Sequence, residues 1–231
     1  YGIGGPLFAR ALKVSEPGAM GFLIIGGHSW AVAIGKTLME AGLKVVVVDT
    51  NPAHAFSARM AGLKTYFGSG ISEDALQNIE LSGIGRLMAM TPNSGVNSLA
   101  AIHFSEVFDR SELYQLIPDA EEKKREKEFV SKHLHARYLF SEESSYGNLT
   151  RRFAAGAVIK RVNLTKEFDY ASFKAMYPTA TPLFLINEAG VLTVFTVDSV
   201  PAPKPGHALI SIVDEAADKE SSEGLKKKSV S

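Results

Sequence analysis

In the first half of the chain, apolar residues come in short unbroken runs, each followed by a stretch with helical spacing. Phe22 to Ile25 is one run, closed by Gly26 and Gly27; "KVVVVD" (44–49), "LKTYF" (63–67), "RLMAM" (86–90) and "ELYQLI" (112–117) follow. Runs this short and this continuous predict strands buried on both faces, as in a parallel sheet. Between the first two, Trp30, Ile34 and Leu38 recur every four residues, and Ala41-Gly42 supplies a helix stop. Pro52 suits a first helical turn capped by Asn51 or Thr50. "SEDALQNI", opening on Ser72, and "SGVNSLAAIHFSEVF" predict two more helices. Strands alternating with helices imply right-handed crossovers and an α/β fold, a Rossmann-like doubly wound parallel sheet.

After Pro118 the pattern changes. "DAEEKKREKEF" has the look of a solvated charged helix with i to i+4 pairs. Beyond it, "AVIKRVNL", "PLFLIN", "VLTVFTV" and "ALISIV" predict short strands, with "NEAG" as a hairpin turn between two of them. The expected organisation is a linker at 1–20, a nucleotide-binding domain at 21–118 and a charged connecting helix at 119–136. A small α+β domain at 137–214 and a disordered tail at 215–231 complete it, the tail because it has almost nothing to bury.

Composition narrows the function classes. Lysine plus arginine equals aspartate plus glutamate, 25 each among 231 residues, which argues against nucleic acid as the main partner. The absence of cysteine excludes disulfides, thiolate metal sites and cysteine nucleophiles. No apolar stretch approaches the roughly 18 residues that cross a bilayer, and the first residues lack a signal-peptide layout. Any transport chemistry is therefore expected outside this sequence.

The candidate chemistry lies where the first strand turns into the first helix. A G-x-G-x-x-G loop uses its first glycine for the tight turn, its second for close approach of a pyrophosphate, and its third for helix–strand packing; the helix N-terminus supplies N–H groups. Here Gly26 keeps the first role and Gly27 adds freedom, but His28 stands at the second position and Ala31 at the third. Asp49, 23 residues beyond Gly26, has the spacing of a carboxylate that grips ribose hydroxyls. Gly26, Asp49, Gly68 and Thr91 all fall at or just after the carboxyl ends of predicted strands, where ligands bind in open sheets. The alternatives are a nucleotide site accepting one phosphate or a rerouted diphosphate, with His28 as donor, and a vestigial pocket on an interaction module.

These residues also resemble a known family. "FLIIGGHSW…VVVVDTNP…AGLKTYFGSGISEDAL…GRLMAMTPNSGVNSLAA" is similar to the nucleotide-binding half of the regulator of potassium conductance family, RCK or KTN. More closely, "YG…P.AR.L", "ARMAGL.T..G", "LT.EFD", "PLF.I" and "PKPG..LI" resemble the cytoplasmic tail of bacterial sodium(potassium)/proton antiporters of the cation:proton antiporter type, from Tyr1 to about Val213. The resemblance implies a non-catalytic regulatory domain on the cytoplasmic side of the inner membrane. It would bind an adenine nucleotide (AMP, ADP or ATP) or NAD(H), dimerise with itself, and adjust a membrane antiporter domain that precedes it in the same polypeptide. Carried over by position, Gly26, Gly27, His28, Ser29, Trp30 and Ala31 hold phosphates and Asp49 the ribose, with Thr50 and Asn51 beside it among the cofactor-binding residues. Gly68-Ser69 replaces the glycine-aspartate pair typical after the third strand, and Thr91, Asn93 and Asn97 form the polar lip after the fourth.

One enzyme pattern competes. "YASFK", Tyr170 to Lys174, has the Y-x-x-x-K spacing of short-chain dehydrogenases, in which the lysine lowers the tyrosine pKa. The first loop lacks those enzymes' glycine pattern, no serine stands upstream at the usual place, and Pro178 shortens the helix. His133 and His135, at i and i+2, diverge on a helix and predict no metal site.

Overall fold

A computed structural model describes residues 19–119, 122 and 136–214. The expected linker up to residue 18, most of the charged helix with His133 and His135, and the tail from 215 lie outside the described residues. The chain divides into two compact units between Tyr138 and Leu139.

In the first unit, β1 (Gly21–Ile25), β2 (Val45–Asp49), β3 (Lys64–Phe67), β4 (Ile84–Ala89), β5 (Leu113–Gln115) and β6 (Arg137–Tyr138) form one sheet. Its order is β3-β2-β1-β4-β5-β6, with every pairing parallel. This is the Rossmann order, whose direction of winding reverses between β1 and β4. The two faces explain the unbroken apolar runs. Leu23, Ile25, Val46, Val48, Leu87 and Ala89 pack with Ala75 of α3 (Glu73–Asn78) and with Ala100, Ala101 and Phe104 of α4 (Ser94–Phe104). On the other face, α1 (Ser29–Glu40) lies so close that a Cβ on Gly35 would stand 3.3 Å from Ile24 and 3.4 Å from Val45. Trp30, Ile34 and Leu38 of α1 are buried, as their spacing predicts. The Asn51 side chain, and not Thr50, caps α2 (Pro52–Met60), accepting the Ala53 N–H at 2.9 Å.

Arg137–Tyr138, which the sequence pattern assigns to the small domain from 137 onward, instead pairs in parallel with β5 and completes the first sheet. Two residues carry no apolar run, so nothing in the pattern marks this strand.

The second unit is a four-stranded antiparallel sheet of β7 (Val158–Asn163), β8 (Thr181–Ile186), β9 (Leu192–Val194) and β10 (Ala208–Val213), in the order β7-β10-β8-β9. The "NEAG" turn joins β8 to β9, with Gly190 at φ 77°. The sequence pattern omits α5 (Tyr146–Ala154), because Leu149 is its one buried residue. Next, α6 (Tyr170–Met176) buries Phe173 against Leu164, Leu185, Phe195 and Leu209. Arg152 of α5 fastens this unit: its guanidinium donates to both Asp214 carboxylate oxygens at 3.1 and 2.9 Å, to Thr181 Oγ1 at 2.6 Å and to the Thr179 carbonyl at 3.1 Å.

Candidate functional site

The ends of β1, β2 and β4 converge on one loop. Gly26 leaves β1 with φ 105°, a conformation L side chains rarely adopt, and a Cβ there would lie 3.0 Å from the Met90 carbonyl oxygen. The first glycine of the loop is thus required by both its backbone and its neighbour. Gly27 is just as confined, since a Cβ would stand 3.1 Å from Val47 and 3.3 Å from Asp49.

Asp49 ends β2 and ties this loop to the next one. Its Oδ2 accepts the Gly27 N–H at 2.5 Å and faces His54 Nδ1 at 3.0 Å, while its Oδ1 accepts the Asn51 N–H at 2.7 Å. Burial pushes the Asp49 carboxyl upward. The hydrogen bonds from Asn51, Gly27 and His54 outweigh that push and hold it below the ordinary value of 3.8. The site therefore presents a fixed, ionised carboxylate at neutral pH.

His28 fills the second glycine position. The residue is only 6% exposed, its Nε2 donates to the Met90 carbonyl at 2.8 Å, and its ring lies 4.0 Å from that of Trp30, which is 3% exposed. Burial lowers its pKa to about 4 against the opposing effect of the Met90 bond, so the ring is neutral at pH 7. As N-cap of α1, His28 gives no side-chain cap, and the first turn of the helix holds no acidic residue. An uncapped N-terminus with a positive dipole end favours an anion.

Residues 22–141, more than half of the sequence, match the TrkA-N domain family. The chain belongs to that family. No curated protein sequence matches it. Among solved structures it is similar to the NAD(P)-binding domain of an exopolyphosphatase-related protein from Archaeoglobus fulgidus, at 17% identity and a TM-score of 0.39, covering 46% of this chain and 80% of that one. The TrkA-N domain of the inner membrane protein ybaL from Escherichia coli matches at 16% identity and a TM-score of 0.35, covering 48% and 96%. The GsuK RCK domain matches at 12% identity and a TM-score of 0.42, covering 92% of this chain and 47% of that one.

Within this TrkA-N unit the expected site residues separate by what their side chains do. Gly26, Gly27, His28, Trp30, Ala31 and Asp49 sit together at the β1–β2 end, Ala31 fully buried against the sheet and Ser29 exposed at the start of α1. Thr50 and Asn51 are exposed beside Asp49, and the Gly68 N–H donates to the Asp49 carbonyl at 3.0 Å. Ser69 turns inward on its own loop, its Oγ accepting the Ile71 N–H at 3.4 Å. The lip after β4 is self-contained. Asn97, 2% exposed, accepts from the Thr91 N–H and hydroxyl at 3.0 and 2.8 Å and donates to the Thr91 carbonyl at 3.0 Å, while Asn93 caps α4 through Val96 N–H. Asn97 therefore shapes the loop with both its amide oxygen and its amide nitrogen.

His54 is the site residue that sequence reasoning missed; its signal was a histidine in the first turn of the helix leaving Asp49. In the second unit, Lys174 Nζ sits 5.0 Å over the face of the Tyr170 ring, and burial raises the Tyr170 pKa, the opposite of what a dehydrogenase tyrosine needs. Among the described residues, no three His, Asp or Glu side chains group to hold a metal, and no helix is long and apolar enough to cross a membrane.

Proposed function

We propose that this chain is a non-catalytic regulatory module that seats an adenine nucleotide or NAD(H) between Gly26 and Asp49 and adjusts a cation:proton antiporter. The observation that carries the reading is the Asp49 carboxylate, held ionised and hydrogen-bonded to Gly27 at the foot of an uncapped helix. A carboxylate for ribose hydroxyls beside N–H groups for phosphate is the pairing a nucleotide needs. Membership of the TrkA-N family supports it. The membrane antiporter domain in the same polypeptide, the homodimer and the cytoplasmic location belong to the same proposal. Binding would act by population shift, biasing the transporter by the ligand's differential affinity for two packings of the module.

A thermal-shift screen against AMP, ADP, ATP, NAD and NADH tests it, because a ligand specific to the folded state raises the melting temperature. A rise with at least one of them, lost in D49A, supports the reading; no rise with any overturns it. A second reading, an interaction module with a vestigial site, is favoured by the burial of His28 and Trp30 at the loop's centre. It predicts that flat outcome.

A further inference from the structure

A dinucleotide on a Rossmann sheet lies across the switch point: one nucleoside beside the end of β2, the pyrophosphate on the glycine loop, the other nucleoside over β4 and β5. In this protein the crossing runs between the β1–α1 loop and the segment that follows β4. Both sides meet at one atom. The Met90 carbonyl oxygen is 3.0 Å from where a Gly26 Cβ would stand and 2.8 Å from His28 Nε2. Behind that contact the His28 ring packs on Trp30 at 4.0 Å, with both residues buried. A glycine at position 28 would leave the path from α1 to β4 open; an imidazole tied to Met90 fills it.

On the β1–β2 side the arrangement differs. Asp49 faces the ribose position with a fixed carboxylate, and Ser29, the first residue of α1, is exposed. That half has the groups for one ribose and one phosphate. Given a nucleotide in this mouth, on which the inference rests, we propose that His28 restricts the site to a mononucleotide. Any ligand whose second half must pass from β1 to β4 is barred.

The chemistry of the ring agrees with its geometry. With Nε2 donating to the Met90 carbonyl and Nδ1 buried, neither ring nitrogen is presented to a phosphate oxygen. The ring stays neutral at pH 7 because burial lowers its pKa to about 4. It therefore offers a pyrophosphate bulk without compensating charge. His28 acts here as a specificity-determining residue, and Trp30 holds its ring in place.

Calorimetry at pH 7.5 on the whole chain, with AMP and NADH as the two probes, tests the proposal in the wild type, H28G, H28A and H28Q. The wild type is expected to bind AMP at least about tenfold more tightly than NADH, a difference readily resolved in Kd. H28G and H28A should close or reverse that gap, whereas H28Q, which keeps bulk and a donor for Met90, should retain it. Equal wild-type affinity for the two probes overturns the proposal while leaving the nucleotide reading intact, and this comparison needs no variant to fold. An unchanged gap in H28G or H28A proteins that still melt cooperatively overturns it as well. Binding of neither probe to any of the four proteins removes both the proposal and the reading beneath it.

Discussion

The Asp49 carboxylate accepts the Gly27 N–H at 2.5 Å, so the end of β2 and the loop after β1 move as one hydrogen-bonded piece. D49A should then do two things together. It should weaken nucleotide binding by about 1 to 3 kcal/mol through lost charge-assisted hydrogen bonds, and it should loosen the Gly27 turn even without ligand. Calorimetry and amide hydrogen exchange at Gly27 check the pair; wild-type exchange in D49A would mean the bond does not brace the loop.

The same carboxylate predicts an acid response. Its folded pKa lies below its ordinary 3.8, so the stability it contributes is present above that value and lost as pH falls through the folded pKa. His28 adds an earlier loss. Its folded pKa of about 4 lies below its ordinary 6.5, so between those values the unfolded chain takes up a proton that the folded chain refuses. Urea midpoints should decline as pH drops from 6.5 toward 4, and H28Q should remove that part of the decline. An equal decline in H28Q would assign it elsewhere.

Gly26→Ala should destabilise the first unit by about 1 to 3 kcal/mol, the usual cost of holding an L residue in a sparsely populated region. The Met90 carbonyl blocks relaxation, since the added carbon would lie 3.0 Å from it. Thermal or urea unfolding measures this, and a G26A protein as stable as the wild type would show that the β4 segment gives way.

Asn97→Ala should cost about 0.5 to 1.5 kcal/mol, the net worth of a typical hydrogen bond, by removing the partner of the part-buried Thr91 N–H and carbonyl. Because Asn97 spends its amide on Thr91, any loss of nucleotide affinity in N97A should be small beside that in D49A. The reverse order of affinities would make Asn97 a ligand contact.

Much of the fold is readable from the sequence because the physics is local. Four consecutive β-branched valines before Asp49 favour a strand covered on both sides, and Trp30, Ile34 and Leu38 mark the face that α1 buries. The pattern fails where an element buries little: α5 hides Leu149 alone, and β6 is two residues of partial burial. The site divides in the same way. Gly26 and Asp49 are visible as residue types at fixed spacing. The clamp of Asn97 on Thr91, the return of His54 to Asp49 and the reach of His28 to Met90 depend on how loops fold back, and spacing does not encode that. Tyr170 and Lys174 show the converse, a motif whose spacing is met while its geometry is not.

In the second unit β10 lies between β7 and β8 and is buried along its whole length, yet it is the last of the four strands to be synthesised. Until Val213 has left the ribosome, β7 has no strand partner and β8 pairs only with β9, so both present unpaired backbone edges to solvent. Chaperone demand during synthesis should therefore peak late, and a stop codon introduced before Ala208 should yield a product cleared by proteolysis.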